Sequence, residues 1–220
     1  KNRVYTHSDI DVLTPLLSNA AFTYENLRLM KVNEQGTVYH RFIEKIFKLF
    51  NSSFRDSELI HAILTEIHTV AAYDLAIVMT KHVNKPGYLK ISDFLSNVPS
   101  NLAVDCSYSY LDSMIEKVFK QENPLIVEDS GNLTSSLDQI IFQEHGCKSC
   151  LLAPLKMDGS ITGILALASK KSGLFNEVQE LLKCIANGLS LVLERNRLSA
   201  AVVRRNQELD TIRQIGSALA

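Results

Sequence analysis

The chain has almost no surplus charge. Its 23 Lys and Arg stand against 24 Asp and Glu, a net charge of −1 over 220 residues. Gripping nucleic acid or an anionic membrane surface needs an excess of cations, so neither partner is expected. No apolar run approaches the roughly 20 residues that cross a bilayer. The opening residues, Lys1 to His7, do not form a secretory signal and read as the interior of a longer chain. Cysteine is sparse: Cys106, Cys147, Cys150 and Cys184 are too few for a disulfide scaffold in a chain of this length. A reducing cytoplasm is the expected setting. There is no Gly-rich phosphate loop, no Gly-x-Ser-x-Gly elbow and no His-Glu-x-x-His. With no catalytic set in view, a non-enzymatic role is expected.

The hydrophobic fraction is 46% and the charged fraction 21%, the balance of a folded domain with a sizeable core. Both ends read as helical and the middle as mixed. Ser8 to Lys31 has helical spacing, with Pro15 as a kink or restart. A second helix is predicted over Val38–Phe50, with Phe42, Ile46 and Leu49 on one face. Asn51-Ser52-Ser53 breaks it. Leu59, Ile60, Ile63, Leu64, Ile67 and Val70 predict a third. Tyr73–Thr80 and Tyr88–Leu95 read as strands around the Asn84-Lys85-Pro86-Gly87 turn. Leu111, Met114, Ile115, Val118 and Phe119 predict a helix over Tyr108–Gln121. Leu125–Val127 reads as a short buried strand, and Leu137–Glu144 as a short helix stopped by Gly146. Cys150–Lys156 and Ile161–Ser169 flank Asp158-Gly159, a strong signal for a tight hairpin. Asn176–Ala220 reads as one long helix. Its near-heptad seam, Leu181, Cys184, Gly188, Leu191, Arg195, Leu198 and onward to Leu219, favours pairing with a second helix.

The run Gly146 to Pro154-Leu155, the Asp158-Gly159 turn, and then Gly163-Ile164-Leu165-Ala166-Leu167 resembles the central hairpin of GAF domains. Phe175-Asn176-Glu177 through Leu198 resembles the C-terminal helix of that family. The resemblance implies an α+β fold of GAF/PAS type: an antiparallel sheet of five or six strands, helices on both faces, and long N- and C-terminal flanking helices. It places the domain at residues 56–198, with 199–220 as a signalling or coiled-coil helix. Tyr5 to Asp9, Leu16 to Ala21 and Glu25 to Leu29 echo the same C-terminal helix. Residues 1–55 are therefore expected to be either the tail of a preceding GAF domain or simple helical linker. The resemblance further implies a regulatory module of a signal-transduction protein. Such a module would form a homodimer through its terminal helices, bind a small molecule, and sit beside an output domain: a kinase, a cyclic-di-nucleotide enzyme or a transcription activator. A ligand-free dimerisation spacer and a thiol or metal redox sensor are the alternatives. No cofactor is named by it, since members of one fold bind different ligands.

The resemblance implies a pocket under the helix at Tyr108 and the loops around Asp129, which makes Cys106, Tyr108, Glu128, Asp129, Ser130 and His145 candidate ligand contacts. For Glu128, Asp129 and Ser130 the plainer reading is loop capping or a solvated carboxylate. Cyclic-nucleotide binders of the family carry an Asn-Lys, Phe, Asp-Glu motif. The matching positions are Ser169, Lys170, Phe175, Gln179 and Glu180, so the Asn and the Asp are missing, and Lys170 with Glu180 is left as a surface pair. The bilin-attachment position falls on Leu137-Asp138 rather than Cys-His. Cys106, His145, Cys147 and Cys150 could hold a metal or act in redox chemistry. Against that, Cys147 and Cys150 match positions that hold buried apolar residues, where free Cys packs well. Methionine sulfoxide reduction, known in some stand-alone relatives, would need Cys106 to pair with Cys147 or Cys150.

Overall fold

The computed structural model describes residues 36–50, 56–128, 135–157 and 159–194. The expectations for the helix at 8–31, the tandem echo, the break at 51–53, the Asp129, Ser130 and Asp158 positions, and the seam beyond 194 lie outside these residues.

Helix α1, Gly36–Phe50, buries Phe42, Ile46 and Phe50, spaced i, i+4, i+8. Phe50, rather than Leu49, closes that stripe; Leu49 is half-buried. Helix α2, Asp56–Ile67, buries Leu59, Ile60, Ile63, Leu64 and Ile67. Val70 lies past its end in the turn. The Tyr73 hydroxyl donates to the Leu64 carbonyl at 2.6 Å and ties that turn to the sheet.

The strands are β1 (Leu75–Lys81), β2 (Tyr88–Ser96), β3 (Ser107–Ser109), β4 (Leu125–Val127), β5 (Ser149–Met157) and β6 (Ser160–Ser169). They form one antiparallel sheet in the order β3-β2-β1-β6-β5-β4. The central strands read as continuous apolar runs because both sheet faces are covered. Along β1, Ala76 and Val78 face one core while Leu75, Ile77 and Met79 face the other. Met157 pairs with Ser160, so the β5–β6 connection is the tight turn that Asp158-Gly159 predicts, with Gly159 at φ +74°. Gly163 is needed for close strand approach: a Cβ there would collide with the Met79 carbonyl oxygen of β1.

A bulge changes the direction of β2. Val78 pairs with Asp93 and Met79 with Ile91, which leaves Ser92 extra. Leu89 and Ile91 face one core, but after the bulge Leu95 faces the other and Asp93 reaches the helix layer. There Asp93 Oδ2 lies 3.4 Å from Nδ1 of His61 on α2. His68, which follows α2, sits 3.2 Å from the Asn97 amide. His61 thus joins α2 to β2, and His68 joins the turn after α2 to the residue that follows β2.

The helix expected over Tyr108–Gln121 is shorter. Tyr108 belongs to β3, paired with Leu89, and helix α3 spans only Met114–Gln121. Ser113 caps it, its hydroxyl accepting from the Glu116 N–H, while Glu116 Oε2 accepts from Asp112 N at 2.8 Å. Ser113-x-x-Glu116 is a capping-box spacing that marks the true start. Leu111, counted into the apolar stripe, is 55% exposed.

Helix α4 begins as Ser136–Asp138, capped by Ser135, and widens into a π turn over Gln139–Gln143. Gly146 at φ +64° ends it, as expected. Helix α5 covers 179–194. The seam expected to meet a partner helix starts as this domain's own core face: Leu181, Cys184 and Gly188 are buried, and Leu191 is the first exposed position. A Cβ on Gly188 would stand 2.5 Å from Cε2 and Cζ of Phe50, so the aromatic ring of α1 lies directly on the backbone of α5.

Helices α1, α2 and α5 cover one face of the sheet and α3 and α4 the other.

Candidate functional site

The α3/α4 face carries a cavity of about 260 Å³, lined by Asn101, Leu102, Tyr108, Ile140, Glu144 and His145. Three separate stretches build it. The loop before β3 supplies Asn101 and Leu102, the edge strand β3 supplies Tyr108, and the π turn with its following residues supplies Ile140, Glu144 and His145. A π turn closes with i→i+5 bonds, and Glu144 N accordingly donates to the Gln139 carbonyl at 3.0 Å.

His145 is buried and anchored at both ring nitrogens. Nδ1 lies 3.0 Å from the Ile140 carbonyl, which can only accept, and Nε2 lies 2.9 Å from Ser100 Oγ. Ser100 Oγ also accepts from Leu102 N at 3.1 Å. The network is complete with a neutral imidazole: Nδ1–H donates to the carbonyl and the Ser100 hydroxyl donates to Nε2. His145 therefore holds the 100–102 loop against α4. Burial raises the Tyr108 phenol pKa, and the neighbouring Cys106 and Glu144 groups add to that shift.

Tyr108 and His145, both expected as contacts, meet in this cavity. Cys106 is exposed and stands close enough to act electrostatically on Tyr108. Glu128 does not line the cavity. Its Oε2 accepts from Gly173 N at 2.8 Å and its Oε1 from the Asn176 amide at 3.2 Å, so it fastens the end of β4 to the loop leading into α5. Asp129 and Ser130 lie outside the described residues.

Cys147 and Cys150 are buried in the α3/α4 core. Burial pushes the Cys147 thiol up to about 11, with the Asp74 charge adding and Lys170 opposing. Burial likewise raises Cys150, helped by Asp138 and Cys147. A thiol that attacks as a reductant needs the opposite shift. Among the described residues, no group of three or more His, Cys, Asp and Glu is placed to hold a metal ion. At the positions of the cyclic-nucleotide motif, Ser169 Oγ and Lys170 N both donate to Asp74, and Phe175 is buried. Glu180 lies 3.8 Å from Lys183 rather than pairing with Lys170.

Asn101, Leu102, Ile140 and Glu144 were not singled out from sequence. Glu144 stands beside His145 and just before the left-handed Gly146, a local signal that a polar pair is being turned to one side.

Asp138 is buried and its carboxylate accepts from Met114 N at 3.0 Å, so α4 caps the start of α3. Burial raises its pKa, while the Met114 N–H and Ser135 oppose the rise.

The sequence matches the GAF domain family over residues 57–193, and the chain belongs to that family. GAF domains are regulatory sensor modules of signalling proteins. Solved structures similar in fold include the GAF domain of a phosphoenolpyruvate-protein phosphotransferase from Coxiella burnetii, with 15% identity and a TM-score of 0.63, covering 73% of this chain and 95% of that one. The GAF domain of a two-component sensor histidine kinase from Bacillus halodurans is similar at 14% identity and a TM-score of 0.54, covering 65% and 96%. A type II free methionine-R-sulfoxide reductase from Thermoplasma acidophilum is similar at 15% identity and a TM-score of 0.52, covering 64% and 93%. No curated protein matches the chain. Among the described residues no helix is long and apolar enough to cross a membrane.

Proposed function

We propose that this chain is the sensory module of a cytoplasmic signal-transduction protein, non-catalytic in itself, that receives a small ligand in the Tyr108–His145 cleft and reports it to an output domain through its terminal helices. The observation that carries this reading is the cleft: residues from three stretches, spread over more than 40 positions from Asn101 to His145, converge on one cavity whose histidine is already oriented. A ligand that favours one arrangement of the 100–102 loop and the π turn shifts a two-state equilibrium by its difference in affinity for the two. Asp138 joins that turn to α3, and Glu128 joins β4 to the entry of α5. Taken in series through α3 and β4, these contacts offer a route from cleft to output helix. Homodimerisation would then use α5 from Leu191 onward, since the earlier seam positions are spent inside the domain. The raised thiols favour a regulatory role over methionine sulfoxide reduction.

A second reading, a dimerisation spacer without a ligand, is favoured by the filling of the rest of this face. Ile115, Val118, Leu137, Ile141 and Phe142 occupy the space between α3, α4 and the sheet. Native mass spectrometry of the freshly purified chain, with an absorbance spectrum and metal analysis, separates the two. A dimer with one small extra mass per chain, lost in Tyr108→Ala, supports the sensor. A clean dimer with no added mass, in the wild type as in Tyr108→Ala, supports the spacer.

A further inference from the structure

We propose that the Tyr108–His145 cleft selects a small molecule with a cationic nitrogen, an ammonium or guanidinium on a short apolar body, and rejects carboxylates and phosphates. This rests on the reading of the cleft as a ligand site and names the chemical class that the site takes.

Charge is the first argument. The six lining residues include one carboxylate, Glu144, and no Lys or Arg. An anion entering would face a like charge with no basic partner, and desolvating it there is unfavourable. A cation meets the reverse.

Hydrogen-bonding capacity is the second. His145 is the lining residue able to become a cation, yet both its nitrogens are engaged, by the Ile140 carbonyl and by Ser100 Oγ. It is left with no N–H for an anionic oxygen. What faces the cavity is acceptor-rich: the Glu144 carboxylate accepts only, while the Asn101 amide and the Tyr108 hydroxyl both donate and accept. An ammonium with three donors fits that set. The Glu144 carboxylate also acts on the Tyr108 hydroxyl, and its charge has the sign that favours a cation.

Shape is the third. Leu102 and Ile140 supply aliphatic wall for a short carbon chain, and the Tyr108 ring offers a π face to a cation. At about 260 Å³ the cavity lies just below the range of drug-sized sites, about 300–1,000 Å³, and is too small for a tetrapyrrole or a cyclic dinucleotide.

The test is ligand-observed NMR on the full 220-residue chain with matched probes. One set is phenethylamine, 2-phenylethanol and 3-phenylpropionate; the other is agmatine, 1-pentanol and hexanoate; AMP serves as the phosphate probe. Each is measured against wild type and Glu144→Gln, an exposed position whose substitution leaves the core intact. The expected result is binding by the amine or guanidine members, weakened about tenfold or more in Glu144→Gln, with no carboxylate or phosphate binding. Binding by the carboxylates or AMP, by the alcohols equally with the amines, or by amines unaffected in Glu144→Gln overturns the charge selectivity and leaves the cleft as a ligand site. No binding by any probe overturns both, and the spacer reading then stands.

Discussion

The two faces of the sheet are built from different materials. Under α1, α2 and α5 the core is mostly aliphatic and aromatic, from Phe42 to Val192, with Cys184, Ser190 and Asp93 as buried exceptions. Under α3 and α4 the core is interrupted by buried polar groups, Asp138 and His145, by two thiols, and by a cavity. The first face gains its stability chiefly from close apolar packing. On the second, packing is broken where polar groups must be satisfied one at a time, and such places open at lower cost than a fully packed core. A module that holds its shape on one side and adjusts on the other can bind without unfolding.

The contrast can be broken most severely at the sheet itself. Gly163→Ala should cost about 3 kcal/mol or more in urea unfolding, because the new Cβ meets backbone that cannot move aside. Next comes Ile63→Ala on the helix face, expected to cost about 2–5 kcal/mol, whereas Ile140→Ala at the cleft wall should cost less than about 1 kcal/mol. Equal losses at the two would remove the distinction between the faces. Gly188→Ala should lose about 1–2 kcal/mol against the Phe50 ring, and Phe50→Leu in the same chain should restore part of it; additive losses would show that the two residues do not meet.

Asp138 sharpens the comparison through pH. Its folded pKa is raised by burial, so the stability contributed by its protonated form is complete below the ordinary aspartate range and is lost as pH rises through the folded value. Asp138→Asn keeps an oxygen for the Met114 N–H and should remove that loss, so the two proteins converge at low pH and the variant is the more stable at neutral pH. Unfolding curves from pH 3 to 7 test this, and parallel curves would count against it. The smallest effect belongs to Cys106→Ser, expected within about 0.5 kcal/mol because the side chain is exposed. Under brief alkylation Cys106 should react well before Cys147 and Cys150, as peptide mass mapping would show.

Much of this fold is legible in the residues, and for stated reasons. Asp158-Gly159 marks the hairpin because that pair accepts the turn dihedrals, and α2 is visible because its apolar residues keep helical spacing over three turns. The Tyr108 segment misleads because Leu111 extends a helical stripe by chance, while the capping pair Ser113 and Glu116 marks the real start at Met114, just before the buried Ile115. The site is less legible. Tyr108 and His145 follow from the family pattern. Glu128 is adjacent to that pattern but is directed to Gly173 and Asn176, a contact 45 residues away that no local rule foresees. Ile140 and Glu144 depend on a π turn, whose wider spacing periodicity counts do not resolve.

Phe50 resting on Gly188 has a mechanical consequence. The ring sits in a notch one residue wide. Turning α5 about its own axis would carry Gly188 out from under the ring and drive the side chain of Asn187 or Leu189 into it. The pair thus works like a key in a slot and resists torsion of α5 about its own axis.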